Sequence, residues 1–215
     1  MKKLILTALV IGASFTACKN EKAKDNADAA TAPVVETQVV ADGVYAADQA
    51  SSTLNWKGFK PTGTHNGTVA IKEGSLTITE GKLAGGNFVF DMNSMAVLDI
   101  PADDENNGKL LGHLKSGDFF DVENNETSSF AITSVTNGES TMVKGDLTIK
   151  GITKSIEFPV QLVASENGVE LNGATFQIDR TDFDIKYKSN KFFDNLKDKF
   201  INDEFEISFA VKAAK

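Results

Sequence analysis

Within Lys154 to Leu162, KSIEFPVQL, Ile156, Phe158, Val160 and Leu162 are apolar on one parity, while Ser155, Glu157 and Gln161 are polar on the other. Successive side chains of a strand point to opposite faces, so a period of two specifies a β-strand with one buried face. Pro159 falls on the outward parity.

The same pattern recurs on both sides of this stretch. In GGNFVFDM, Phe88, Phe90 and Met92 share a face; in SSFAITSV, Phe130 and Ile132 do; in VELNGATFQI, Phe176 and Ile178; and in FEISFAVKA, Phe205, Ile207, Phe209 and Val211. SSTLNWKGF, GSLTITEG and STMVKGDLTIK complete a set of eight strand-like runs. Glu73-Gly74, Glu80-Gly81, Asn137-Gly138 and Asn167-Gly168 each separate two runs by a short link, which predicts antiparallel hairpins. Helical signals are few. Lys109 to Ser116 (KLLGHLKS) is one; Lys191 to Phe200 is a second, with Phe192, Phe193, Leu196 and Phe200 at helical spacing. The class is all-β with one or two short helices, and the pattern alone allows either a sandwich or a closed barrel.

The N-terminus carries a different signal. Lys2 and Lys3 precede an apolar core, Leu4 to Ala13, and small residues lead to Ala17-Cys18. This is the layout of a secretory signal, and its core is too short for a membrane span of about 20 residues. Cys18 is the chain's only cysteine. Its position points to lipid attachment, although Phe15 stands where the lipobox usually carries leucine, and simple cleavage is the alternative. The expected organisation is a signal peptide over 1–17, a lipidated flexible tether over 18–42, and one folded domain over 43–215. The tether, KNEKAKDNADAATAPVVETQVVAD after the cysteine, has no aromatic residue with which to build a core. The expected location is the cell envelope, as a lipoprotein on a periplasmic or outer-membrane face.

Net charge is −8, and loss of Lys2 and Lys3 with the signal leaves −10. Such a chain is expected to repel nucleic acid and anionic membrane surfaces. Arg180 is the sole arginine against twenty-one lysines, which argues against a multi-arginine clamp.

Five segments together resemble the YceI-like, or polyisoprenoid-binding, family: Gly63 to Val69 (GTHNGTV), Gly85 to Met95 (GGNFVFDMNSM), His113 to Glu123 (HLKSGDFFDVE), Lys144 to Val160 (KGDLTIKGITKSIEFPV) and Ile178 to Ile185 (IDRTDFDI). The resemblance runs from about Gly43 to the C-terminus. It implies a lipocalin-like antiparallel β-barrel whose lumen holds a long apolar molecule such as an isoprenoid or fatty-acid derivative. The chain departs from the family pattern at Asp184, where glycine usually follows DRTDF, and at Glu126, where proline usually precedes the next strand.

Fifteen phenylalanines against two tyrosines and one tryptophan give an aromatic inventory almost without polar handles, suited either to a hydrocarbon lumen or to a filled core. The candidate lumen set is Phe88, Phe90, Met92, Phe130, Ile132, Phe158, Phe176, Ile178 and Ile207. Candidates for the mouth are His65, His113 and Arg180, with local neutralisation of Arg180 by Asp179 and Asp182 as the alternative for that residue. No catalytic motif is present: no nucleophile elbow, Walker loop, H-E-x-x-H or C-x-x-C. Asp103 to Gly108 (DDENNG) opens like a calcium loop, but position twelve is Leu114, so it reads as a solvated loop. No cofactor or metal is expected. The leading expectation is non-catalytic binding or transport of a long-chain lipid. A lipid-modifying enzyme and a packed structural or stress-related envelope protein are the alternatives, and the sequence leaves the oligomeric state open.

Overall fold

The computed structural model describes residues 40–215. The segment expected to be a signal peptide, Cys18 and nearly all of the expected tether fall outside the described residues. Nine strands occur in the order β1 (Gly43–Ala47), β2 (Thr53–Lys60), β3 (Gly63–Thr79), β4 (Lys82–Val97), β5 (Thr127–Thr136), β6 (Thr141–Ile149), β7 (Ile152–Ser165), β8 (Gly168–Asp179) and β9 (Glu204–Ala214), with one helix, α1 (Glu105–Lys115), between β4 and β5. All pairings are antiparallel. Both β1 and β2 pair with β3 on one side and β9 on the other, so together they occupy a single position in the ring. The result is an eight-stranded closed barrel without a free edge.

Antiparallel order sorts the connections into two ends. The short links at Glu80-Gly81, 137–140 and 166–167 lie at one end, with the first residues of β1. The β2–β3 turn, α1 and the long β8–β9 connection lie at the other. The first end is plugged: Leu76, Ile78, Leu83 and Val169 are at most 2 % exposed, and Tyr45 caps them, its hydroxyl donating to the Ala41 carbonyl (2.6 Å). Asp42 is also held there, its carboxylate accepting from the Gly81 N–H (3.0 Å).

Three local expectations are corrected. Glu73-Gly74 is not a turn; it lies inside β3, at a register shift where Ile71 faces Phe90 and Glu73 faces Val89. The glycine is required because a Cβ there would lie 2.6 Å from the Phe88 ring on the neighbouring strand. The pair thus bends a long strand around an inward aromatic side chain, as bulges do in barrels.

The Asp103 to Gly108 stretch is not a loop throughout, because α1 begins at Glu105, four residues before the expected Lys109. Asp104 caps it, its carboxylate accepting from the Asn106 N–H (2.8 Å). Buried Asn107 donates to the Val97 and Ile100 carbonyls (3.1 and 2.8 Å), fastening the first turn to the end of β4.

Lys191 to Phe200 does not form a helix. Asn195 and Lys197 have positive φ (62° and 53°), which interrupts any right-handed run, and only a single 3-10 turn at Lys197–Lys199 remains. Among the described residues, no helix is long and apolar enough to cross a membrane.

Candidate functional site

The inward faces of the strands do not meet at the centre of the barrel. They enclose a cavity of about 550 Å³, within the range of small-molecule sites of about 300–1,000 Å³. Phe90, Ile132, Ile156, Phe176, Ile207 and Phe209 point inward, yet they remain only half-buried because that space is unfilled. All nine lumen candidates, Phe88, Phe90, Met92, Phe130, Ile132, Phe158, Phe176, Ile178 and Ile207, line it.

One wall is aromatic. Phe158 stacks on Phe176 with centroids 4.2 Å apart and planes 5° from parallel, and it meets Phe130 at 5.4 Å and Phe209 edge-on at 5.8 Å. Offset and edge contacts of this kind hold rings in place without hydrogen bonds. Gly173 carries no side chain beneath Phe209, and a Cβ there would lie 2.2 Å from that ring. A second apolar cluster, Val69, Met92, Met95 and Val122, packs under α1 with Trp56 and Leu114 against it. The indole Nε1 of Trp56 is buried without a hydrogen-bond acceptor among the described residues.

The polar residues of the cavity gather toward the end that carries α1. His65 Nδ1 lies 2.8 Å from Asp99 Oδ2, and the other carboxylate oxygen accepts from the Asn66 N–H (2.9 Å). Burial opposes ionisation of Asp99, but these hydrogen bonds hold its carboxyl below the ordinary value. His113 sits edge-on between Phe119 (5.0 Å) and Tyr187 (4.7 Å), with Nε2 3.1 Å from Asp118. Both histidines line the mouth and are also committed to neighbouring carboxylates.

Arg180 lines the cavity as well, but at 4 % exposure its donors are already engaged. Nη1 donates to the Ile185 carbonyl (2.7 Å), Nη2 to the Ile201 carbonyl (3.0 Å) and Asp203 (3.2 Å), and Nε to the Asn202 carbonyl (3.0 Å). It ties the two ends of the β8–β9 connection together. Its ion-pair partner is Asp203, while Asp179 pairs with Lys191. Desolvation pulls the guanidinium below its ordinary value, opposed chiefly by the Asp203 charge.

The sequence reading missed the lysines of the rim. Lys60, Lys188 and Lys199 line the mouth, and the ion pairs formed by lysines among the described residues involve only Lys109, Lys186 and Lys191. The only signal for Lys188 and Lys199 was the density of lysine in the β8–β9 connection, and Lys60, at the end of β2, carried none. Asp198 is the carboxylate among the lining residues, and no group of three or more metal-ligating side chains occurs among the described residues.

A closed eight-stranded barrel, plugged at one end and open through a polar rim into an apolar lumen, defines the lipocalin-like class of binding barrels. Residues 45–213 match the YceI-like domain, and the chain belongs to that family. Relatives include a UPF0312 protein of Pseudomonas paraeruginosa, 32 % identical over 96 residues (44 % of this chain, 47 % of the relative). A UPF0312 protein of Vibrio parahaemolyticus is 34 % identical over 114 residues (46 % and 60 %). The chain thus spans about half the length of the curated relatives it matches. Among solved structures, BcnA of Burkholderia cenocepacia superposes with a TM-score of 0.60 at 20 % identity, covering 79 % of this chain and 99 % of that one. A polyisoprenoid binding domain from Saccharophagus degradans, implicated in plant cell wall breakdown, superposes with a TM-score of 0.58 at 14 % identity, covering 78 % and 95 %. These superpositions share the fold.

Proposed function

We propose that the barrel binds, and carries or sequesters, a long-chain apolar molecule of isoprenoid or fatty-acid type without transforming it. The unfilled, phenylalanine-walled lumen carries this reading. About ten methylenes buried at roughly 0.8 kcal/mol each give on the order of 8 kcal/mol gross, from which association costs subtract several. Family membership and the polyisoprenoid-binding neighbour support the same reading. Lys60, Lys188 and Lys199 at the rim suit a carboxylate or phosphate headgroup. His65, His113 and Arg180 act at the mouth mainly by holding its shape.

A packed structural barrel fits poorly with a lumen of this size. A lipid-modifying enzyme would need a nucleophile and a base along the hydrocarbon, and the lining beyond the rim is aliphatic and aromatic apart from Ser128 near the start of β5. The proposed setting is the cell envelope, with Cys18 lipidated so that the barrel stays close to the bilayer in which such ligands dissolve. Solvent extraction of the purified full chain followed by mass spectrometry tests the reading. A recovered long-chain lipid is expected. Recovery of none, together with no uptake of isoprenoids or fatty acids in a titration, would contradict it.

A further inference from the structure

Lys186 to Phe200, most of the β8–β9 connection, contains five lysines and two aspartates in a chain whose net charge is −8. Lys186 and Lys191 are paired with carboxylates outside the stretch, so the local balance is Lys188, Lys197 and Lys199 against Asp194 and Asp198, slightly positive where the whole chain is negative, and screened charges act over a Debye length of roughly 8–10 Å. Within this stretch Phe192 and Phe193 are each 49 % exposed, two adjacent aromatic rings turned toward water. The other large exposed apolar residues among the described residues, Val44, Leu98 and Val163, occur singly.

The rings are held outward by a defined turn. Ser189 is fully buried, its carbonyl accepts from the N–H groups of both Phe192 and Phe193 (3.1 and 3.0 Å), and its hydroxyl accepts from the Lys191 N–H (3.1 Å). The Ile201 N–H donates to the Lys188 carbonyl (3.0 Å), closing the base of the loop. Lys186 is paired with Asp184 and lies over the Phe192 ring, and Lys191 pairs with Asp179. Lys188, Lys197 and Lys199 pair with no carboxylate among the described residues. Exposed aromatic rings beside unneutralised lysines have the chemistry of a peripheral contact with anionic lipid, in which rings enter the boundary between headgroups and acyl chains and ammonium groups meet phosphates.

We propose that the Lys186 to Phe200 connection is a membrane-docking surface for an anionic bilayer, with Phe192 and Phe193 inserting and Lys188, Lys197 and Lys199 contacting lipid phosphates. Tyr187, Lys188, Asp198 and Lys199 also line the cavity, so docking sets the barrel's mouth against the membrane. The chain enters the barrel at Gly43, at the opposite end. Docking does not depend on what the lumen holds.

The test is flotation of the full chain carrying Cys18→Ser with vesicles of phosphatidylcholine alone or mixed with phosphatidylglycerol. Binding to the mixed vesicles that weakens with salt is expected, together with little binding to the neutral ones. Phe192→Ser with Phe193→Ser, and separately Lys197→Gln with Lys199→Gln, should each lower partitioning about tenfold or more. All four side chains are exposed, and circular dichroism verifies that the barrel persists. Val44→Ser, at the plugged end, should change nothing. Equal binding to both vesicle types, or loss of binding with Val44→Ser to the same degree, overturns the proposal. So does sedimentation showing that the phenylalanine pair joins two copies of the chain while vesicle binding survives its removal.

Discussion

Ile156 projects into the lumen from β7, two residues before the stacked Phe158, and is half-buried where a filled core would enclose it. Ile156→Trp would add about six non-hydrogen atoms inside the barrel. In a packed interior such an insertion costs about 1–3 kcal/mol through strain. Against a void of about 550 Å³ the ring has room, and the expected loss is under about 1 kcal/mol. Binding should respond instead. If the indole displaces up to about six methylenes at roughly 0.8 kcal/mol each, the ceiling is about 5 kcal/mol, or between about three and four orders of magnitude for chains long enough to reach it. Chains too short to reach Ile156 should be little affected. Urea denaturation followed by circular dichroism reads the first quantity, and calorimetric titration with fatty acids of graded length reads the second. Destabilisation by several kcal/mol with an unchanged chain-length profile would refute the reasoning, because it would show that the space is not available to a ligand.

Other consequences concern the frame around the mouth. Arg180→Met leaves the Asp203 carboxylate and three carbonyls without their donor; a loss of about 3–5 kcal/mol in urea denaturation is expected, and a loss under about 1 kcal/mol would contradict the bracing role. Burial disfavours ionisation of Asp179, but hydrogen bonds from Lys191 and Thr181 outweigh it and hold the carboxyl below its ordinary value. Its contribution is therefore present above the unfolded-state value of about 3.9 and is lost as pH falls through the lower folded-state value. Asp179→Asn should flatten the fall in Tm below about pH 4, and an unchanged acid limb would count against that assignment. Asp184 occupies the left-handed region (φ 60°, ψ 24°) as the cap of the turn Arg180–Phe183. Asp184→Gly should relieve that conformation and raise Tm by about 2–4 °C in a thermal melt, and a lower Tm would show that the Lys186 pair matters more.

The inward face of each strand was legible because a period of two is a local property: Phe88, Phe90 and Met92 needed only their own neighbours to be placed, and the structure puts all three on the lumen. Closure into a barrel came from the five family segments, since alternation fits a sandwich equally well. What escaped the sequence depended on distance. β1 and β2 share one ring position through partners on β3 and β9, more than a hundred residues apart in the chain. Gly74 carried a turn signal, yet its role is set by the Phe88 ring on the next strand. Arg180 lies between two aspartates but pairs with Asp203, because the β8–β9 connection folds back to bring that carboxylate beneath it. The helical spacing of Phe192, Phe193, Leu196 and Phe200 was real as a pattern, but the positive φ of Asn195 and Lys197 broke it, turning two of the rings outward.

The most direct test of an open, ligand-accepting lumen uses Trp56, the chain's one tryptophan, which lines the cavity beneath α1. Titration with a long-chain fatty acid brominated along its tail should quench Trp56 fluorescence saturably at one ligand per chain, and an unbrominated analogue should bind without quenching. Emission that stays unchanged, or falls only in proportion to free bromolipid without saturating, would contradict a lumen that takes up hydrocarbon.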